Sequence, residues 1–165
     1  MRNTFDRFNG RHQDYQAARP SYAQEFLDWL GELYAPPERY TAADIGSGTG
    51  KLSAQLLAAG FRVCGVEPNP DMRGAAEALL GGDPRFSSSN GTDHDTGLPD
   101  RSVDMVAAAQ AFHWFDGPAF ARECRRILRP GGRAVLVWNV RGSAPVNQAL
   151  AQVFREHCPS FHGFT

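Results

Sequence analysis

Cysteine is scarce in this 165-residue chain, and Cys64, Cys124 and Cys158 are widely spaced with no C-x-x-C pair. That excludes a disulfide framework and offers no zinc-ligand spacing, so free thiols in a reducing cytoplasm and no metal are expected. Lysine is scarcer still. The basic residues are nearly all arginine, scattered rather than blocked, and the net charge is −1. A chain so balanced has no overall electrostatic drive toward nucleic acid. No apolar run approaches the roughly 18 residues that a membrane span needs, and the start Met1-Arg2-Asn3-Thr4-Phe5-Asp6 lacks a signal-peptide core. A soluble protein without a membrane partner is expected. Neither a repeat nor a linker interrupts the sequence, and its length fits one domain able to bury a real core.

Glycine, by contrast, is concentrated where it can act. Thr41-Ala42-Ala43-Asp44-Ile45 is a short apolar stretch that runs into Gly46-Ser47-Gly48-Thr49-Gly50-Lys51 and then into a helical pattern. Leu52, Leu56 and Ala59 fall at i, i+4 and i+7, one helix face that Gly60 is suited to end. A strand therefore feeds a helix through a glycine turn. Such a junction is expected to present unpaired backbone N–H groups and to let a ligand approach the main chain closely.

Spacing separates three nucleotide-site readings of that turn. A P-loop needs glycine where Ile45 stands and Ser or Thr where Leu52 stands. The dinucleotide fingerprint G-x-G-x-x-G needs a third glycine at the position of Lys51. What remains is Asp-x-Gly-x-Gly-x-Gly, with a carboxylate at the strand end that can accept hydrogen bonds from an ammonium group. The next strand signal, Phe61 to Glu67, ends on an acid 23 positions after Asp44. In a doubly wound sheet such a position reaches ribose hydroxyls.

The Asp44 to Gly50 pattern resembles motif I of the class I S-adenosylmethionine (SAM) methyltransferases. The resemblance extends through Glu67-Pro68-Asn69-Pro70-Asp71-Met72, Gly97-Leu98-Pro99, Ser102-Val103-Asp104 and Gln110-Ala111-Phe112-His113-Trp114-Phe115. Together these segments look like the bacterial and fungal group that includes the trans-aconitate methyltransferase-like (methyltransferase type 11) proteins. It implies an α/β fold with a doubly wound, Rossmann-like parallel sheet of strand order 3-2-1-4-5. It also implies a final antiparallel strand pair, for which the sequence after Phe154 is too short.

The rest of the chain fits this frame. Residues 1–20 read as an arm ending in Tyr15-Gln16-Ala17-Ala18-Arg19-Pro20, and 21–165 as the SAM-dependent domain. In the family such an arm folds over the cofactor, so Tyr15 and Arg19 are contacts to SAM or else part of a frayed terminus. Ser21 with Gln24 is a capping-box signal for a helix carrying Phe26, Leu30 and Leu33, closed by Pro36-Pro37. Asn69 and Pro70 open a third helix that Gly81-Gly82 stops. Phe86-Ser87-Ser88-Ser89 is a weak strand signal, and Ser102 to Gln110 reads as a buried central strand. Asp116 and Pro118 open a helix whose Arg125, Arg126 and Arg129 complement its negative end. Pro130-Gly131-Gly132 turns the chain into a fifth strand, Arg133 to Asn139, and Val146, Leu150, Val153 and Phe154 mark a last helix. A fifth strand left at the sheet edge invites homo-oligomerisation.

By resemblance, Asp44 and the amides of Gly46, Ser47, Gly48, Thr49 and Gly50 hold the methionine part of SAM, and Glu67 with Pro68 the ribose. Met72 lies on the adenine or fills the core. Thr92 and Asp93 belong to the polar run whose acid accepts from the adenine amino group. Gln110 to Trp114 face the methyl group: Phe112 and Trp114 either wall the sulfonium by cation–π attraction or pack a strand end. His113 is a general base, an orienting group or a packing residue. The expected activity is methyl transfer to a small-molecule acceptor, most naturally at oxygen, including a carboxylate. A catalytically silent SAM-binding domain working through a partner is an alternative, as is a nicotinamide-dependent oxidoreductase, which Lys51 opposes.

Overall fold

A computed structural model of the chain describes residues 21–139. The expected arm with Tyr15 and Arg19, and the helix expected around Val146 to Phe154, lie outside the described residues. So does everything after the fifth strand that bears on a final strand pair.

The described elements are α1 (Gln24–Leu33), β1 (Thr41–Ile45), α2 (Lys51–Ala58), β2 (Arg62–Val66), α3 (Pro70–Leu80), β3 (Phe86–Ser89), β4 (Val103–Ala109), α4 (Gly117–Ile127) and β5 (Leu128–Val137), with short 3-10 turns at Pro37–Arg39 and Phe112–Trp114. The five strands form one parallel sheet of order β3-β2-β1-β4-β5, as the resemblance implies. β1 lies at its centre, with Ala43 opposite Cys64 of β2 and Val106 of β4.

Alternation along the strands divides the core in two, because successive side chains point to opposite faces. Ala42, Val63, Met105 and Ala107 join Leu30, Leu52, Leu56 and Phe61 under α1 and α2. Ala43, Cys64, Val106 and Ala108 join Phe120, Cys124 and Ile127 under α4. Phe61 and Ile127 are wholly buried, and each large apolar side chain so placed contributes about 1.5–3 kcal/mol. Cys64 and Cys124 are buried and unpaired.

Three local expectations are corrected. The Ser21–Gln24 capping box does not form: Ala23 is the N-cap residue without a side-chain cap, and Gln24 Nε2 donates to Asp28 instead. A long-range partner replaces it, since the Tyr22 N–H donates to Gln55 Oε1 and Gln55 Nε2 donates to the Tyr22 carbonyl, both at 3.1 Å. The fifth strand begins directly after α4, at Leu128, and Pro130-Gly131-Gly132 is an irregularity within it; the register passes from Val103–Leu128 to Met105–Arg133. Of the arginines expected to complement the end of α4, Arg129 lies beyond it in β5, and Arg126 and Arg129 both make ion pairs. Arg129 Nη1 donates to Asp104 Oδ2 at 2.6 Å, the same oxygen that accepts the Thr41 N–H at 2.8 Å, so β1, β4 and β5 are tied at one end.

The helix after β2 forms as its sequence requires. Asn69 caps it by accepting from the N–H groups of Asp71 and Met72, Pro70 occupies its first turn, and Gly81 follows its end.

Candidate functional site

In an open parallel sheet, ligands bind beyond the carboxyl ends of the strands at the point where strand order reverses, here between β1 and β4. A cavity of about 200 Å³ lies there. Asp44, Gly46, Ser47, Gly48, Thr49, Glu67, Pro68, Met72, Thr92, Asp93, Gln110 and Trp114 line it, so the sheet brings together segments spread over 70 residues of sequence. Gly50 is not in that lining. Its φ is +81°, and an added Cβ would meet Leu80 Cδ1 at 2.9 Å and Ala76 Cβ at 3.1 Å; this glycine lets α3 approach the turn. Gly48 is the one open to a ligand, with a φ of +57° and nothing within 4 Å of an added Cβ.

The turn's amides are used differently from the expectation. Gly46 and Ser47 donate to the Val66 carbonyl, Gly50 to the Ser47 carbonyl, and Gly48 to Glu67 Oε2. A strand–turn–helix connection this tight satisfies its own N–H groups, so most of them are not unpaired. What the turn presents instead is a pair of carboxylates. Asp44 is buried at the end of β1, where Ser53 Oγ donates to its Oδ2 at 2.7 Å. Burial pushes it up to about 6, against the Ser53 hydrogen bonds, and no basic side chain pairs with it among the described residues. Glu67 is also buried and raised by burial; it accepts the Gly48 N–H on Oε2 and the Asn69 N–H on Oε1, both at 2.9 Å. Each oxygen retains acceptor capacity, since a carboxylate has about four lone-pair sites.

Arg73 is a residue the sequence reading missed. Its Nη1 donates to the Glu67 carbonyl at 2.8 Å, the Pro68 carbonyl at 3.3 Å and Asn90 Oδ1 at 3.1 Å, and so ties the loop after β2 to the loop after β3. Only its helical position, one turn beyond Pro68, hinted at such a reach. Of the two acids that straddle His94, Asp93 lines the cavity and Asp95 does not. Asp93 also accepts the Asp116 N–H on Oδ2 at 3.0 Å, pinning its loop to the start of α4. Met72 is both buried and cavity-lining, so its two readings are compatible.

Gln110, the residue after β4, has a φ of +55°, an unusual conformation for a residue with a Cβ. Its N–H donates to the Val137 carbonyl and its Nε2 to the Asn139 carbonyl, which hold it there. Beyond it the aromatic cluster divides. Trp114 and Phe115 line the cavity, whereas Phe112 packs on Phe115, Phe120 and Trp138 in the core under α4. Of the two readings of Phe112, its contacts fit the packed strand end, and Phe115 lines the cavity where Phe112 does not. The reason is the 3-10 turn, which sends successive side chains to different sides. His113 is exposed and outside the lining, its ring 4.9 Å from that of Trp114. Among the described residues no group of acids, histidines or cysteines could hold a metal ion, and no helix is long and apolar enough to cross a membrane.

Comparison with known proteins bears on this site. The family described as Methyltransferase domain matches residues 43–136. An uncharacterized methyltransferase of Mycobacterium tuberculosis is 42% identical over 127 residues, 77% of this chain and 49% of that protein. Another from Schizosaccharomyces pombe is 32% identical over 145 residues, 87% of this chain and 57% of that one. The chain spans about half the length of the curated relatives it matches. Among solved structures, a protein of Anaeromyxobacter dehalogenans provisionally named a type II methyltransferase is 36% identical with a TM-score of 0.65, over 84% of this chain and 56% of that one. A SAM-dependent methyltransferase of Mesorhizobium loti is 25% identical with a TM-score of 0.54, over 59% of this chain and 45% of that one. With the sheet order, the carboxylate pair and a family match over more than half of its length, the chain belongs to the Methyltransferase domain family, within the class I SAM-dependent methyltransferases.

Proposed function

We propose that this protein transfers a methyl group from SAM to an oxygen of a small-molecule acceptor. The observation that carries the reading is the buried Asp44, without a basic partner among the described residues, beside Glu67 at the switch point of the sheet. SAM supplies a methyl group already activated on a sulfonium. Asp44 takes the ammonium group, which relieves the burial of a carboxylate that no described basic side chain pairs with. Glu67 accepts from the ribose hydroxyls with the lone pairs that the Gly48 and Asn69 amides leave. Ser47, Gly48 and Thr49 border the methionine chain, Pro68, Met72, Thr92 and Asp93 the adenosine, and Gln110 closes the methyl end. Tyr15 and Arg19 cover the cofactor from the arm. Trp114 and Phe115 form the wall toward the sulfonium, worth about 0.5–2 kcal/mol of cation–π attraction. We assign His113 the support of Trp114, ring against ring, rather than proton transfer. A carboxylate acceptor is already ionised and needs no base; a hydroxyl acceptor would lose its proton to water at the open mouth. Buried, unpaired Cys64 and Cys124 support a cytoplasmic setting.

Glu67→Ala should weaken SAM binding at least tenfold, because two charge-assisted bonds of roughly 1.5–3 kcal/mol each are lost and each 1.4 kcal/mol is a decade. Calorimetry with SAM, S-adenosylhomocysteine and NAD checks this; unchanged SAM affinity in a folded variant refutes the ribose assignment. Preference for NAD would favour an oxidoreductase instead, and methyl transfer to a metabolite panel separates an enzyme from a silent binder.

The outer edge of β5 supports a second element of the proposal, self-association. β5 pairs only with β4 among the described residues. Such an edge can pair with another chain. Light scattering on the 165-residue chain is expected to give a dimer or larger species; a stable monomer at high concentration would exclude it.

A further inference from the structure

We propose that the apolar groove beside the SAM cavity binds the methyl acceptor, and that it takes an uncharged aromatic or aliphatic body carrying the accepting oxygen. This rests on the methyltransferase reading above. The groove has a volume of about 280 Å³ and is bordered by Tyr22, Phe26, Leu136, Val137, Trp138 and Asn139. Among the described residues, no charged side chain lines it. Tyr22 lines both this groove and the SAM cavity, so the two spaces share a wall. The groove lies at the carboxyl end of β5, on the same side of the sheet as the cavity at the carboxyl end of β4, which is where ligands of open parallel sheets sit.

The shared region is built rather than incidental. Gln110 holds a φ of +55° while its main chain and side chain bond Val137 and Asn139, at 2.8 and 3.1 Å. A residue kept in a sparsely populated conformation by two bonds marks a position that the surroundings over-determine. Here it fixes the end of β5, which borders the groove, to the residue that borders the methyl end of the cavity. On the other side the reciprocal Gln55 bonds fix Tyr22.

Chemistry selects the occupant. Small-ligand sites run from about 300 Å³ upward, so this space suits one or two rings and not a polypeptide segment. Trp138 and Leu136, 41% and 40% exposed, offer apolar area to a partner of that size. A polycarboxylate would find no described cation in the groove and would face Asp44, Glu67 and Asp93 across the cavity, with Lys51 the sole described basic lining residue. Desolvating several carboxylates there would be costly; a neutral body is not penalised.

The 165-residue chain, saturated with S-adenosylhomocysteine, would be titrated with 2-naphthol, a neutral aromatic hydroxyl compound, and with propane-1,2,3-tricarboxylate, by calorimetry and saturation-transfer NMR. One saturable 2-naphthol site is expected, independent of S-adenosylhomocysteine. Trp138→Ala, which removes a wall, and Ala23→Trp, which fills the groove from an exposed position, should each weaken it at least fivefold. Both should leave S-adenosylhomocysteine affinity within twofold, which also reports that they fold. Tighter binding of the tricarboxylate, competition between 2-naphthol and S-adenosylhomocysteine, no saturable site, or indifference to both substitutions would each overturn the proposal. Failure of S-adenosylhomocysteine itself to bind would instead remove the methyltransferase reading and the acceptor site with it.

Discussion

Asp44→Asn is expected to weaken SAM binding by ten- to a hundredfold while leaving the unliganded chain at least as stable as the parent at pH 7. The two effects have one cause. Burial holds Asp44 at about 6, above the ordinary 3.8. The folded chain therefore binds this proton more tightly than the unfolded chain does. Its contribution to stability is fully present below about pH 4 and is lost as pH rises through 6. Two pH units of difference correspond to about 3 kcal/mol of stability forgone at pH 7, which an amide does not forgo. The weaker hydrogen bonds of an amide with Ser53 offset part of the gain. An ammonium group entering the cavity restores the balance by favouring the ionised form, and removing that charge-assisted contact costs about 1.5–3 kcal/mol of affinity.

A pH signature follows. The parent's SAM dissociation constant should rise about tenfold from pH 7 to pH 5, as Asp44 takes up its proton in the free protein, with Glu67, also raised by burial, contributing in the same direction. The Asn variant's dependence should be much flatter. Calorimetry across that range, with melting of the free chains, tests both halves. Equal affinity of variant and parent at pH 7 would remove Asp44 from the ammonium site.

The second large effect concerns stability and lies away from the cavity. Glu123 is buried on α4, accepting the Thr96 N–H and hydroxyl on Oε1 at 2.9 and 2.6 Å. Arg126 grips both of its oxygens, through Nε at 2.8 Å and Nη2 at 2.6 Å, and reaches Asp100 with Nη1 at 2.7 Å. The side chains of one helical turn thus clamp the loop that enters β4. Glu123→Ala leaves buried Thr96 donors unsatisfied and a guanidinium without its main partner, a change that costs about 3 kcal/mol. For a chain of this size that is a fall in Tm of about 6–12 °C. Glu123→Gln, which keeps an acceptor for Thr96, should recover part of it.

Here the pH dependence has the opposite sign to that of Asp44. The Arg126 guanidinium and the Thr96 donors hold Glu123 at about 2, below the ordinary 4.5. Its stabilisation is present above about pH 4.5 and is lost as pH falls through 2. Acid melts of the parent should steepen over that interval and those of Glu123→Gln should not. A parent and variant that melt in parallel from pH 5 to pH 2 would show that the clamp does not bear on stability.

Much of this protein was determined by local sequence. The strand–glycine–helix run from Thr41 to Ala59, the Asn69-Pro70 start of α3 and the alternating apolar strands are written in contiguous residues, because hydrogen-bond period and turn stereochemistry act over a few positions. The positions of Asp44 and Glu67 at two strand ends followed from that pattern, and the sheet order from the family resemblance that its motifs carry. Tertiary structure alone decided who meets whom. It directed Glu123 and Arg126 to Thr96, turned Phe112 inward and Phe115 toward the cavity, set Gly50 against α3, and replaced the Ser21 cap with Gln55. Each of those outcomes depends on groups brought together from distant positions. The burial that raises Asp44 and the pairing that lowers Glu123 belong to that same level, since the environment of a carboxylate is made by residues the chain folds around it and not by its neighbours in sequence.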